Sequence, residues 1–162
     1  MDYLTVISCD NIPQNGSLTK KLLLEFVSQI NNNFYEIIDK KIKFPNTMVD
    51  RITPYIKNID KFFLQMNYNI IDKVPVIAET YNYWVIENNY SSKYKPNWGL
   101  CEEIVETNNI EEYEKTKLLL LNSSHSFIAY LSYLFKDIKY VYEAPRNELI
   151  LEYLNKYMEE VK

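Results

Sequence analysis

The residues best suited to chemistry fall in three patches. Lys117, Asn122 and His125 follow one another as K-x4-N-x2-H, with Glu114 three places before the lysine. A polar turn, Ser8-Cys9-Asp10-Asn11, comes early in the chain. Asp50 and Arg51 sit inside residues 44–54, Phe-Pro-Asn-Thr-Met-Val-Asp-Arg-Ile-Thr-Pro. These side chains suit the oxidation of a secondary alcohol. That reaction removes the hydroxyl proton and a hydride from carbon. A lysine accepts the proton if its amine is neutral at working pH, a form that burial favours. Asparagine amides donate hydrogen bonds to the developing alkoxide without titrating. A histidine beside them orients a hydroxyl. No metal is required, and one histidine with two cysteines does not readily build a catalytic zinc site.

Such groups need elements to hold them. Residues 112–134 form the longest helical candidate. At about 100° per residue, with Lys117 at zero, Glu114 falls near 60°, His125 near 80° and Asn122 near 140°. All four lie on one side of the cylinder, Leu118 and Leu121 share that arc, and most of the rest is apolar, so a buried helix with polar inserts is expected. Residues 3–8 read as a buried strand that ends at the Ser8–Asn11 turn. Ser17 is placed to cap a helix over residues 17–31, with Leu18, Leu22, Phe26 and Ile30 repeating every four residues and Leu23 and Val27 widening the stripe. A second helix is expected over 34–42. Thr53-Pro54 has the form of a helix start, running to residue 68. Residues 74–86 are β-branched and aromatic and suggest one or two strands. Residues 88–96 read as a loop. After Pro145, Ile150, Leu154, Tyr157 and Val161 mark an amphipathic helix. The expected fold is mainly α with a few β-strands.

Composition bounds the function. With 162 residues and 47% hydrophobic content, one domain with a buried core is expected. A net charge of -4 gives no footprint for nucleic acid or an anionic membrane. The longest apolar runs fall short of a membrane span, and residues 1–3 carry no basic signal-peptide start. Cys9 and Cys101 fit reduced thiols in a cytoplasmic protein. Only two glycines are present, Gly16 and Gly99. A dinucleotide-binding turn needs several closely spaced glycines to admit the pyrophosphate. No such cradle is written in this sequence.

Four ordered segments carry a family resemblance. Residues 8–13 followed by Asn15-Gly16 are similar to the turn that closes the cofactor domain of long-chain mannitol dehydrogenases and fructuronate reductases. Residues 44–54 resemble that family's F-P-N-T-M-V-D-R-I-T-P signature. Trp84-Val85-Ile86-Glu87 resembles its W-V-I-E strand, and Lys117, Asn122 and His125 its catalytic helix. The resemblance implies residues 1–16 as the last strand and turn of a Rossmann domain, with 17–162 as a helical substrate domain. It implies Lys117 as general acid/base, and Asn11 and Asn122 as a two-amide oxyanion site. His125 and Asp50 would hold substrate hydroxyls, and Glu114 would relay protons to solvent. The cofactor would be NAD or NADP, and the substrate a polyol or sugar acid such as mannitol or fructuronate. Two departures stand out: Ser123 where the family usually has Gly, and Ala78-Glu79-Thr80 where it has C-E-P.

Other readings remain open at this point. Taken singly, His125 reads as a core residue, Lys117 as the solvated end of a leucine run and Cys9 as a small buried apolar group. Asp50–Arg51 reads as a structural ion pair, and Asn11 as a side chain that satisfies turn backbone. The chain can also be read as a catalytically inactive binding or assembly module, partnered by a separately encoded Rossmann-domain chain, or as a generic helical protein. Without a cofactor cradle, the chain alone is expected to turn over negligibly.

Overall fold

The computed structural model describes residues 4–91, 95–135 and 138–161. Tyr3, expected to open the first strand, lies outside them, as do the first two residues and positions 92–94 of the expected loop. Two compact units divide at residues 110 and 111. The expected domain change after residue 16 falls within the first unit.

In the first unit, β1 (Leu4–Thr5) pairs in parallel with β2 (Ile42–Lys43), in the register Leu4 to Ile42. Between them lie helices α1 (Asn15–Ser28) and α2 (Asn32–Lys41). β3 (Thr47–Asp50) runs antiparallel to β4 (Tyr83–Glu87), and β4 runs parallel to β5 (Ile104–Thr107), giving a three-stranded sheet in the order β3-β4-β5. The core joins Val27, Ile38 and Phe44, with Val6, Leu23, Leu24 and Ile42 packed on them. Val85 and Ile86 of β4 are fully buried.

Several expectations change here. α1 begins at Asn15, after Gln14 in a left-handed conformation (φ 50°), and Ser17 is not its cap. The Ser17 N–H instead donates to Asn46 Oδ1 at 2.8 Å, so a distant side chain satisfies the free donor at the helix start. The stripe Leu18, Leu22, Phe26 and Ile30 faces outward, with Phe26 63% exposed. Leu23, Leu24 and Val27 pack inward instead. Both faces of α1 are apolar, so the four-residue repeat alone does not tell inside from outside. Helix α3 (Asn58–Tyr68) starts after Lys57, whose N–H donates to Asp60 Oδ2 at 2.8 Å, rather than at Thr53-Pro54. Residues 74–82 are irregular despite their β-branched content. Glu79 ties them to the end of β3: Ile52 N–H donates to its Oε1 at 2.7 Å and Arg51 Nε to its carbonyl at 3.0 Å. Cys9 is exposed rather than buried, on a turn whose flanking carbonyls, Ser8 and Asp10, point inward to Asn15.

In the second unit, helix α4 (Ile110–Thr116) enters from residue 110 and continues without a break into a π-helical turn, Lys117–Asn122, and then α5 (Ser123–Tyr133). Helix α6 (Glu148–Glu160) is capped by Asn147 Oδ1, which accepts from the N–H groups of Leu149 and Ile150. Ile128, Ala144 and Ile150 are the core, with Leu131, Phe135, Ile138 and Leu154 around them. The expected amphipathic helix after Pro145 is present with Ile150 inward. The whole is mainly helical with a few short strands, as expected. Among the described residues, no helix is long and apolar enough to cross a membrane.

Candidate active site

The first unit holds Asn11 and Asp50. Asn11 lies on the exposed turn between β1 and α1, and its N–H is taken by Asp10 Oδ1 at 2.9 Å. What fixes this turn is Asn15, whose side chain is fully buried. Its Nδ2 reaches the carbonyls of Ser8 (3.3 Å), Asp10 (2.9 Å) and Thr47 (3.0 Å) and Thr47 Oγ1 (2.9 Å). Its Oδ1 accepts the Thr47 N–H at 2.9 Å. Thr47 Oγ1 in turn donates to the Ser8 carbonyl at 2.6 Å. Asn15 thereby stitches the Asn11 turn to the start of the strand that ends at Asp50.

The neighbouring residues complete this network. Asn46 donates twice to Glu87 Oε2, from its backbone at 2.8 Å and its side chain at 3.0 Å, while the Glu87 N–H returns to the Asn46 carbonyl at 2.9 Å. Gly16 lies so close to residues 44 and 45 that a Cβ would sit 2.3 Å from the Pro45 carbonyl oxygen. Half-buried Asp50 closes β3 opposite Tyr83. By strand alternation it shares a face with Met48, while Thr47 faces Asn15. Asn15, Asn46, Thr47 and Glu87 were not singled out by type from the sequence. Their signal was the company they keep: Asn-Gly before a helix, and Asn-Thr after Phe-Pro.

The second unit holds Glu114, Lys117, Asn122 and His125. Lys117 and Asn122 are the first and last residues of the π turn. The Ser123 N–H donates to the Leu118 carbonyl five residues back, not to Leu119. In such a turn the hydrogen bond spans five residues rather than four, so residues five apart lie closer in angle than the about 140° of an α-helix. The angles expected for a regular helix therefore do not apply, and Asn122 comes round toward the Lys117 side. The expected burial is not found either. Asn122 and His125 are exposed, Lys117 and Glu114 are half-buried, and Leu118 is 55% exposed. The helix contacts its core through Ile128 and Leu131, further along.

His125 Nδ1 lies 3.0 Å from the Leu121 carbonyl. A carbonyl only accepts, so Nδ1 carries the hydrogen, and in the neutral ring Nε2 is then an acceptor. That orientation suits receiving a hydroxyl proton from a ligand. Serines close the polar wall of the helix: Ser124 Oγ donates to Leu120 at 2.5 Å and Ser126 Oγ to Asn122 at 3.1 Å. Among the described residues, no three His, Cys, Asp or Glu side chains cluster to hold a metal ion. A dinucleotide does not fit the glycines present. The space beside Gly16 is filled by backbone of residues 44 and 45, and Gly99 is far from it in the sequence.

Comparison with known proteins follows this division. The family model described as mannitol dehydrogenase Rossmann domain matches residues 1–100, and the one described as mannitol dehydrogenase C-terminal domain matches 109–162. Mannitol 2-dehydrogenase of Neosartorya fischeri is 39% identical over 96% of the chain, and that of Aspergillus oryzae 40% over the same share. The chain spans 31% of the length of each. The solved ternary complex of Pseudomonas fluorescens mannitol 2-dehydrogenase with NAD and D-mannitol superposes with a TM-score of 0.73 at 36% identity, over 95% of this chain and 31% of that one. A substrate-free D-sorbitol dehydrogenase gives 0.82 at 26% identity, over 96% and 31%.

Proposed function

Because the chain belongs to the mannitol dehydrogenase family, we propose that it supplies the alcohol-binding and proton-transfer groups of an NAD(P)-dependent polyol or hexuronate oxidoreductase. Lys117 takes the hydroxyl proton in oxidation and returns it to the carbonyl oxygen in reduction. The Asn122 amide donates to the oxygen as negative charge develops on it, which favours the transition state over the bound alcohol. His125 Nε2 accepts from a neighbouring substrate hydroxyl, with its ring held by the Leu121 carbonyl. Glu114, one turn before Lys117, passes the proton on to solvent. The family resemblance assigns Asn11 as an amide donor and Asp50 as a hydroxyl acceptor. A bound nicotinamide would supply the hydride acceptor; its phosphates find no cradle at Gly16 or Gly99.

The observation that supports this reading is the π turn whose first and last residues are Lys117 and Asn122, a register that brings residues five apart closer in angle than a regular helix does. The matched relatives are longer single chains, which lends no support to a separately encoded cofactor subunit. The purified chain alone is expected to show no steady nicotinamide turnover with mannitol, fructose or fructuronate; turnover would overturn that part. A chimera in which this chain replaces the matching segment of the Aspergillus oryzae enzyme tests the rest. It should interconvert a polyol and its ketose. Lys117→Met should lower kcat by about 10²–10⁴-fold while leaving the thermal midpoint within about 2 °C of the parent. An active Lys117→Met chimera would end the acid/base assignment.

A further inference from the structure

The π turn leaves one backbone oxygen without its usual donor. In an α-helix the Ser123 N–H would bond the carbonyl of Leu119. It bonds Leu118 instead. Two hydroxyls converge on the displaced carbonyl of Leu119: Ser123 Oγ at 2.7 Å and the phenol of Tyr157, on α6, at 2.9 Å. The two hydroxyl oxygens are 2.5 Å apart, and Ser123 Oγ also reaches the Leu118 carbonyl at 2.8 Å. The Tyr157 ring stacks on Phe127 of α5, with centroids 5.1 Å apart and planes 14° from parallel. α6 is itself fixed by Ile150 and Leu154 in the core. The phenol is thus delivered to Leu119 from a packed support.

A π turn is a rare register, and a carbonyl deprived of its donor favours a return to the α form. Capping that carbonyl removes the incentive. We propose that Tyr157, acting with Ser123, is a positioning residue that holds the π register and so keeps Asn122 turned toward Lys117. Its meaning for turnover rests on the acid/base reading above; the register itself does not. A return to α geometry would swing Asn122 to about 140° from Lys117. The amide and the amine would then lie further apart around the helix.

The test uses the full chain, isotopically labelled, as wild type and as Tyr157→Phe, Ser123→Ala and Ser123→Thr. Tyr157→Phe removes one hydroxyl and keeps the Phe127 stack; Ser123→Ala keeps Tyr157 whole, so one variant remains informative if the other fails to fold. In both, amide exchange at Ser123 and Ser124 should quicken by about tenfold or more. Nuclear Overhauser contacts between the Lys117 side chain and the Asn122 amide should weaken. Ser123→Thr restores the hydroxyl and should restore both signals. Wild-type contacts and exchange in folded Tyr157→Phe and Ser123→Ala would overturn the proposal. In the active chimera, Tyr157→Phe should lower kcat by about 10–100-fold with KM changed less than about twofold. An inactive parent chimera counts against the oxidoreductase reading alone, because the register is read in the chain without turnover.

Discussion

The Asn15–Thr47 network and the Lys117–His125 helix are both built from motif residues, yet they are opposites. In the first, polar groups are buried and nearly every donor and acceptor is matched. In the second, Asn122 and His125 reach solvent and the backbone departs from regular geometry. Buried amides with fixed partners cannot bind a substrate, but they can hold the segments that do. Exposed amides can bind one, but need their backbone held. On the proposed function, the letters of a motif therefore divide into those that build and those that react, with the fully buried ones among the builders.

The sharpest break of that contrast is to substitute each side in turn. Gly16→Ala should be the most destabilising change: its Cβ would meet the Pro45 carbonyl oxygen at 2.3 Å and that of Phe44 at 2.7 Å, both backbone. A loss of about 3–5 kcal/mol in urea unfolding is expected, against less than about 0.5 kcal/mol for Asn122→Ala. Equal losses would erase the distinction. Glu87→Gln comes next. It keeps the shape but removes the charge that receives two Asn46 donors, and should cost about 1–2 kcal/mol by the same measurement.

A pH measurement gives the smallest effect. The Tyr90 phenol is pushed up to about 12 by burial and by the nearby Glu106 carboxylate. The folded form then holds its proton where an unfolded tyrosine, near 10, has lost it. The stabilisation is complete below about pH 10 and falls away as pH rises toward 12. Tyr90→Phe should flatten that alkaline decline. An unchanged profile would show that the phenol is not the group responsible.

Much of this was legible in the letters. The α6 helix and its inward Ile150 follow from spacing alone, and the mainly helical fold follows from the run of amphipathic segments. The two faces of α1 did not separate because leucine and phenylalanine occupy both. β5 was missed because its four residues carry no alternating pattern that stands out from the loop before it. Residues 74–82 have strand composition, but Glu79 bonds to Arg51 and Ile52 just past β3 and the segment is irregular. The candidate site's residues were found by pattern, while their exposure and rotation were not. A sequence read at a constant turn per residue cannot report a local change of register, and Tyr157, forty residues beyond Lys117, looks like any other member of an apolar stripe.

The buried carboxamide of Asn15 has one more consequence. Asparagine followed by glycine is the dipeptide most prone to cyclise and deamidate when the chain is loose, because nothing shields the carbonyl carbon from the next nitrogen. Here both ends of that side chain are engaged and its glycine is wedged against Pro45. Ageing at this bond would therefore record how often the segment opens: the folded chain keeps its asparagine, and an isoaspartate at position 15 marks a molecule that has been apart.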